Sequence, residues 1–253
     1  MKQLPNIITL ANLFFGCMAI AFLLNAPSYL NTVNNTDYYP IIGMEDMFRG
    51  SMFIGLAALM DMMDGLAARV LKSESKLGRD LDSLADVVSF GVAPSMILFK
   101  LLWMAYMQEP GALEAPMIAM APAFLLACFA ALRLAKFNQT SDDQKAAFIG
   151  MPTPAIGLVV ASFPLILFYN YDTAGYLINR WVIYLLIVLL CWLMHSRIHF
   201  FKWKASGPAG NWWPHFVIGL VTIIGAVFLQ YAIIPISFAL YIILSLVYRP
   251  RTL

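Results

Sequence analysis

Apolar residues in this chain fall in long runs separated by short polar connections. Runs of about 20 residues, enough to cross the hydrocarbon of a bilayer, occur at 5–25, 50–72, 84–107, 115–136, 152–170, 178–196, 213–230 and 232–248. Each predicts a transmembrane helix. The last two are nearly fused at Gln230-Tyr231, with Pro235 close by. The first run follows Lys2 and is longer than the apolar core of a signal peptide, with no small-x-small site after it, so it reads as a retained first helix. The expected fold class is all-α: a polytopic membrane bundle of about eight transmembrane helices, forming one integral membrane domain over residues 1–253.

Composition agrees with the pattern. Apolar residues make up 61% of the 253 positions and charged residues only 12%, too few to clothe a soluble domain in a polar shell. Cys17, Cys128 and Cys191 each sit inside an apolar run, without the spacing of a disulfide framework or a zinc site. Nothing in the charge balance of +2 suggests nucleic-acid binding.

The placement of lysine and arginine predicts the orientation. Lys2, then Lys72, Lys76 and Arg79, then Arg133, Lys136 and Lys145, then Arg197, Lys202 and Lys204, and finally Arg249 and Arg251 fall in every second connection. The alternate connections hold Arg49, Lys100 and Arg180 near their edges, with acidic Asp37, Glu45, Asp46, Glu109, Glu114 and Asp172. By the positive-inside rule both termini and the basic connections are cytoplasmic, as in a bacterial-type inner membrane.

Against this background a few charges stand out. Asp61, Asp64 and Arg69 lie in the second run, and Asp82 and Asp86 at the start of the third. A charge at the bilayer centre costs about 2.5–3.5 kcal/mol even on insertion scales, so these residues must face protein or a wet cleft. At 100° per residue Asp61, Asp64, Gly65, Ala68 and Arg69 fall within an arc of about 140°, and Gly78, Asp82 and Asp86 within about 80°. The Ser73-Glu74-Ser75-Lys76 connection is short, so the two acidic faces can meet. Four clustered carboxylates call for cations, and hard divalent ions with oxygen ligands suit them better than zinc, given no convergent His or Cys. Small residues at 65, 68 and 78 leave room for a ligand, and Arg69 offers a fixed fork for phosphate.

Written out, the stretch is Asp61-x2-Asp64-Gly65-x2-Ala68-Arg69-x8-Gly78-x3-Asp82-x3-Asp86. At all eight fixed positions it resembles the signature of the CDP-alcohol phosphatidyltransferase family; a chance match in one register has a probability of about 10⁻¹⁰. The resemblance implies that Asp61, Asp64, Asp82 and Asp86 hold two divalent ions, Mg²⁺ or Mn²⁺. It also implies that Asp64, Gly65, Ala68, Arg69 and Gly78 cradle the CDP group, that Asp86 is the general base, and that the protein is a homodimer.

Four further segments resemble the serine-using branch of that family. They are Pro5-Asn6-Ile7-Ile8-Thr9-Leu10-Ala11-Asn12-Leu13, Ser89-Phe90-Gly91-Val92-Ala93-Pro94-Ser95, Leu132-Arg133-Leu134-Ala135-Lys136-Phe137-Asn138 and Phe148-Ile149-Gly150-Met151-Pro152-Thr153-Pro154. Lys136 stands where that branch commonly has Arg, which keeps the charge but loses a bidentate fork. The implied reaction is transfer of a phosphatidyl group from CDP-diacylglycerol to L-serine, at a site open to the cytoplasm and to membrane lipids. Arg133 and Lys136 are candidates for the serine carboxylate, with Ser89 and Asn138 as further candidates; positive-inside anchoring and packing are the plainer readings of the same residues. Two alternatives stay open: another acceptor, such as inositol phosphate or glycerol phosphate, and an ion-coupled transporter. A transporter predicts paired halves, whereas these charges concentrate in one helical hairpin.

Overall fold

The computed structural model of the chain describes residues 3–33, 37–71, 75–109, 114–140, 148–170, 175–196, 199–200 and 213–247. Lys2, Lys72, Lys145, Arg197, Lys202, Lys204, Arg249 and Arg251, on which much of the expected orientation rests, lie outside the described residues, as do Ser73 and Glu74 of the connection expected between the acidic faces.

The eight apolar runs appear as eight helical segments among the described residues. The first is α1 (Leu4–Asn25) and the second α2 (Met44–Val70). The third is one continuous helix, Lys76–Met107, made of α3 (Lys76–Asp86), a π-helical turn (Val87–Val92) and α4 (Ala93–Met107). The fourth consists of α5 (Met117–Met120), a 3₁₀ turn at Ala121–Phe124 and α6 (Leu125–Thr140). The others are α7 (Thr153–Tyr169), α8 (Arg180–His195), α9 (Trp213–Leu229) and α10 (Ile233–Val247). Four spans, Leu4–Asn25, Met44–Val70, Lys76–Met107 and Met117–Gln139, are long and apolar enough to cross a membrane; further apolar helices are shorter. This is an integral membrane protein.

Prolines account for the irregular turns. Pro94 has no N–H to give to a carbonyl one turn back, and the ladder just before it slips to π spacing, with the Ala93 N–H bonded to the Val88 carbonyl. Pro122 does the same in the fourth span, where the helix tightens to 3₁₀. Gln230, with φ of 48°, reverses the chain between α9 and α10, and the Thr222 and Ser237 hydroxyls meet at 2.9 Å across that hairpin.

The all-α expectation holds for the spans but needs one correction. The first connection is an antiparallel β-hairpin, Ser28–Val33 with Asp37–Ile42, in register from Ser28↔Ile42 to Val33↔Asp37. Its sequence is rich in Tyr, Val, Ile and Thr, which favour extended backbone. A two-residue pairing, Phe148–Ile149 with His199–Phe200, also links the connections after the fourth and sixth spans at one end of the bundle. The second and third helices begin earlier than the apolar runs suggest, at Met44 and Lys76, because polar first turns continue them beyond the apolar stretch.

Inside the bundle the first helix buries Pro5, Thr9, Asn12, Gly16, Ala19 and Leu23, a 4-3-4-3-4 stripe of the kind that packs helices at shallow angles. The stripe is polar near its start and apolar toward its end. The outside of the bundle exposes large apolar side chains: on α8, Trp181, Leu185, Val188 and Trp192 are all exposed, a surface that only lipid or another apolar partner tolerates. Lys100, in α4, reaches back to donate to the Ala26 carbonyl at 2.7 Å and the Ser28 hydroxyl at 2.9 Å, which fixes the hairpin end of the bundle.

Candidate active site

The site forms where α2 ends and α3 begins. The Lys76–Met107 helix has 32 residues, about 48 Å at 1.5 Å per residue, well over the roughly 30 Å hydrocarbon core. Its first turns can therefore stand at the membrane edge. Ser75 caps it, its hydroxyl accepting from the Gly78 N–H at 3.0 Å. On this helix Asp82 faces the aspartates of α2. Oxygens of Asp61, Asp64 and Asp82 come within 4.8 Å of one another. One oxygen of Asp64 and one of Asp82 are buried with no hydrogen-bond donor among the described residues. Buried acceptors in that condition are costly, and three converging hard oxygen donors fit a divalent cation.

Beside the cluster a cleft of about 190 Å³ is lined by Asp64, Gly65, Ala68, Gly78 and Asp82 from the signature, with Ser75 and Arg79. Its remaining wall is the start of α1: Pro5, Asn6 and Thr9. The fit at Gly78 is tight, since a Cβ there would stand 3.0 Å from Asn6 Oδ1 and 3.1 Å from Ser75 Oγ. Arg69 is exposed at the end of α2, its Nε donating to the Gly65 carbonyl at 2.8 Å.

Asp86 lies one turn deeper than Asp82 and is buried. It stands outside the three-aspartate group but within electrostatic reach of Asp61, Asp82 and Asp64. Asn12 Nδ2 donates to Asp86 Oδ1 at 3.3 Å. Arg133, on α6, is also within electrostatic reach of Asp86. It donates from Nη1 to Thr153 Oγ1 at 3.0 Å, and its Nε is buried with no acceptor among the described residues.

A profile of CDP-alcohol phosphatidyltransferases matches residues 2–193. The chain belongs to the CDP-alcohol phosphatidyltransferase family. The matched region runs through the first six spans and leaves α9 and α10 outside it. Among similar curated proteins, one from Bacillus subtilis (strain 168) is 32% identical over 221 residues, covering 84% of this chain and 99% of that protein. One from Helicobacter pylori (strain J99) is 35% identical over 158 residues, covering 62% of this chain and 54% of that protein. One from Mycobacterium tuberculosis (strain H37Rv) is 29% identical over 210 residues, covering 79% and 63%. Each of the three is named CDP-diacylglycerol–serine O-phosphatidyltransferase. The match thus spans almost all of the first relative but only about half to two thirds of the other two.

The residues expected from sequence to act in this family site fall into three groups. Asp61, Asp64 and Asp82 converge, with Gly65, Ala68 and Gly78 beside them. Asp86 and Arg133 flank the cluster from the bundle interior. The other acceptor candidates have different surroundings. The Ser89 hydroxyl is buried and donates to the Asn12 backbone carbonyl at 3.2 Å, Asn138 Nδ2 donates to Ser83 Oγ at 2.9 Å, and Lys136 is exposed at the end of α6. The Asn138–Ser83 bond ties the end of the fourth span to the start of the third.

Sequence reasoning gave no role to Asn6, Thr9 and Asn12. Their signal was present: three polar residues at three-residue intervals inside an apolar run occupy one helical face, and a lone amphipathic strip in a membrane span points to a protein-lined polar site.

Proposed function

We propose that this chain transfers the phosphatidyl group of CDP-diacylglycerol to L-serine, giving phosphatidylserine and CMP. The observation that carries the reading is the convergence of Asp61, Asp64 and Asp82 beside a cleft built from the family signature, in a chain that matches 99% of a relative bearing that name.

The cleft takes the CDP end of the donor. Gly65, Ala68 and Gly78 provide the space, Arg69 offers its guanidinium to a phosphate oxygen, and the acyl chains stay in the bilayer beside α2. Asp61, Asp64 and Asp82, with Asp86, would hold two divalent ions, Mg²⁺ or Mn²⁺, which when bound neutralise the pyrophosphate and stabilise charge on the departing CMP. Serine enters from the water-facing end. Its carboxylate needs a cation among many carboxylates, and Arg133 can offer an N–H that has no acceptor among the described residues. The serine hydroxyl attacks the phosphorus that bears the lipid, and the bond from that phosphorus to the CMP oxygen breaks. Asp86 accepts the hydroxyl proton, since an alcohol is a weak nucleophile until the proton is removed.

The same reading sets the site at the cytoplasmic face, where serine arrives and CMP returns, and takes the protein as a homodimer. CMP release by purified protein in detergent, with CDP-diacylglycerol and Mg²⁺ or Mn²⁺, tests it. Release that requires serine and is lost with chelator supports it. Release driven by inositol phosphate or glycerol phosphate instead would overturn the serine assignment, and no release with any acceptor would overturn the transferase reading.

A further inference from the structure

We propose that Asn12 is a positioning residue for Asp86, holding one carboxylate oxygen so that the other is the one presented to the acceptor hydroxyl; this rests on the proton-accepting role given to Asp86 above. Asn12 is fully buried in α1. Its Nδ2 donates to Asp86 Oδ1 at 3.3 Å, while its own carbonyl oxygen is buried with no donor among the described residues. A buried carbonyl without a donor is destabilising, so an apolar residue of similar volume would serve packing better. What asparagine contributes at this position is the N–H that it gives to Asp86. The amide cannot be reversed without setting its carbonyl against a carboxylate.

The contact is held on a rigid frame. Ser89, in the π-helical turn that begins just after Asp86, donates to the backbone carbonyl of Asn12 at 3.2 Å. One turn further along α1, a Cβ at Gly16 would lie 2.2 Å from Ser89 Oγ, so the two helices touch backbone to side chain with nothing between them. Asp86 is thus gripped from α1 through its carboxylate, while the turn that follows it in the chain is docked on the same helix. Rotation of the carboxylate about its χ2 angle, which is otherwise a broad torsion, is restrained by Asn12 alone among the described hydrogen bonds.

A hydrogen bond to a charged group is worth about 1.5–3 kcal/mol, and loss of a contact that matters only in the transfer step falls on kcat and leaves KM in place. The experiment compares Asn12→Ala and Asn12→Ser with wild type in detergent. Measured are kcat and KM for donor and acceptor over a Mn²⁺ titration carried to saturation, and the melting temperature. Leu23→Ala, on the same buried stripe but far from Asp86, is the structural control. The expected result is a fall in kcat at saturating Mn²⁺ of about 10- to 100-fold, with both KM values within about twofold of wild type. Leu23→Ala should lower the melting temperature and keep kcat. Asn12 variants that behave as Leu23→Ala does, that recover full kcat at saturating Mn²⁺, or that raise KM at unchanged kcat, would overturn the proposal. The wild-type chain is assayed with each acceptor, so a failure of the serine assignment shows in wild type, whereas a failure of the Asn12 role shows only in the ratio of variant to wild type.

Discussion

Consider the substitution Asp82→Asn, which keeps the shape of the side chain and removes one charge from the three-aspartate cluster. Oxygens of Asp61, Asp64 and Asp82 lie within 4.8 Å of one another. At that separation and an effective dielectric constant near 20, two unit charges repel by about 3 kcal/mol. Removing the charge at 82 deletes two of the three repulsive pairs. Water in the adjoining cleft screens much of this, and a net stabilisation of the metal-free protein by about 1–3 kcal/mol is expected. The new amide N–H also finds carboxylate acceptors at once. For a chain of this size that gain corresponds to a rise in melting temperature of about 3–10 °C. Divalent ions should reverse the order: at a hundred times Kd a bound cation stabilises wild type by about 2.7 kcal/mol, and the variant, lacking a ligand, should gain far less. Melting in detergent with EDTA and then with Mn²⁺, alongside CMP release, measures both halves. The variant should be the more stable without metal, the less responsive to Mn²⁺, and inactive. If Asp82→Asn melts at or below wild type in EDTA, or keeps the full Mn²⁺ shift, the cluster is not the strained cation site described here.

Three further outcomes follow from particular contacts. Arg133→Lys keeps the charge and loses the fork and the Nε donor, so KM for serine should rise about tenfold or more, one hydrogen bond to a charged group, with KM for CDP-diacylglycerol unchanged in steady-state CMP release. Lys100→Met strands the Ala26 carbonyl and the Ser28 hydroxyl about 21 Å along the helix from Asp86; thermal melting should show a loss of about 1.5–3 kcal/mol, with kcat retained. Gly150→Ala combines φ of 79° with a Cβ only 2.3 Å from the Met194 carbonyl oxygen, a backbone atom that cannot swing aside. The left-handed conformation alone costs about 1–2 kcal/mol, so the yield of folded protein on size exclusion should collapse.

Much of the candidate site could be read from the chain because its parts are local. Asp61, Asp64, Gly65 and Ala68 sit within eight consecutive residues of one helix, and Gly78, Asp82 and Asp86 within nine of the next. Helical periodicity is enough to put each set on one face, and a short connection lets the faces meet. Other features were hidden for a physical reason. The β-hairpin at 28–42 has no apolar period to announce it and depends on pairing between two short segments. The bond from Asn138 to Ser83 spans 55 residues, and no periodicity reports such a pairing.

The sequence by itself determined the solvent, the helical character of the apolar runs and the identity of the charged cluster, because the cost of burying charge and backbone in hydrocarbon acts on each helix separately. Only the tertiary structure decided that α1 forms the remaining wall of the cleft, that Asn12 reaches Asp86 across 74 residues of chain, and that the π turn ahead of Pro94 packs against Gly16 and Gly157. Those facts belong to the docking of one helix on another. Docking is set by the fit of small and large side chains across an interface, and that fit has no counterpart within either helix alone.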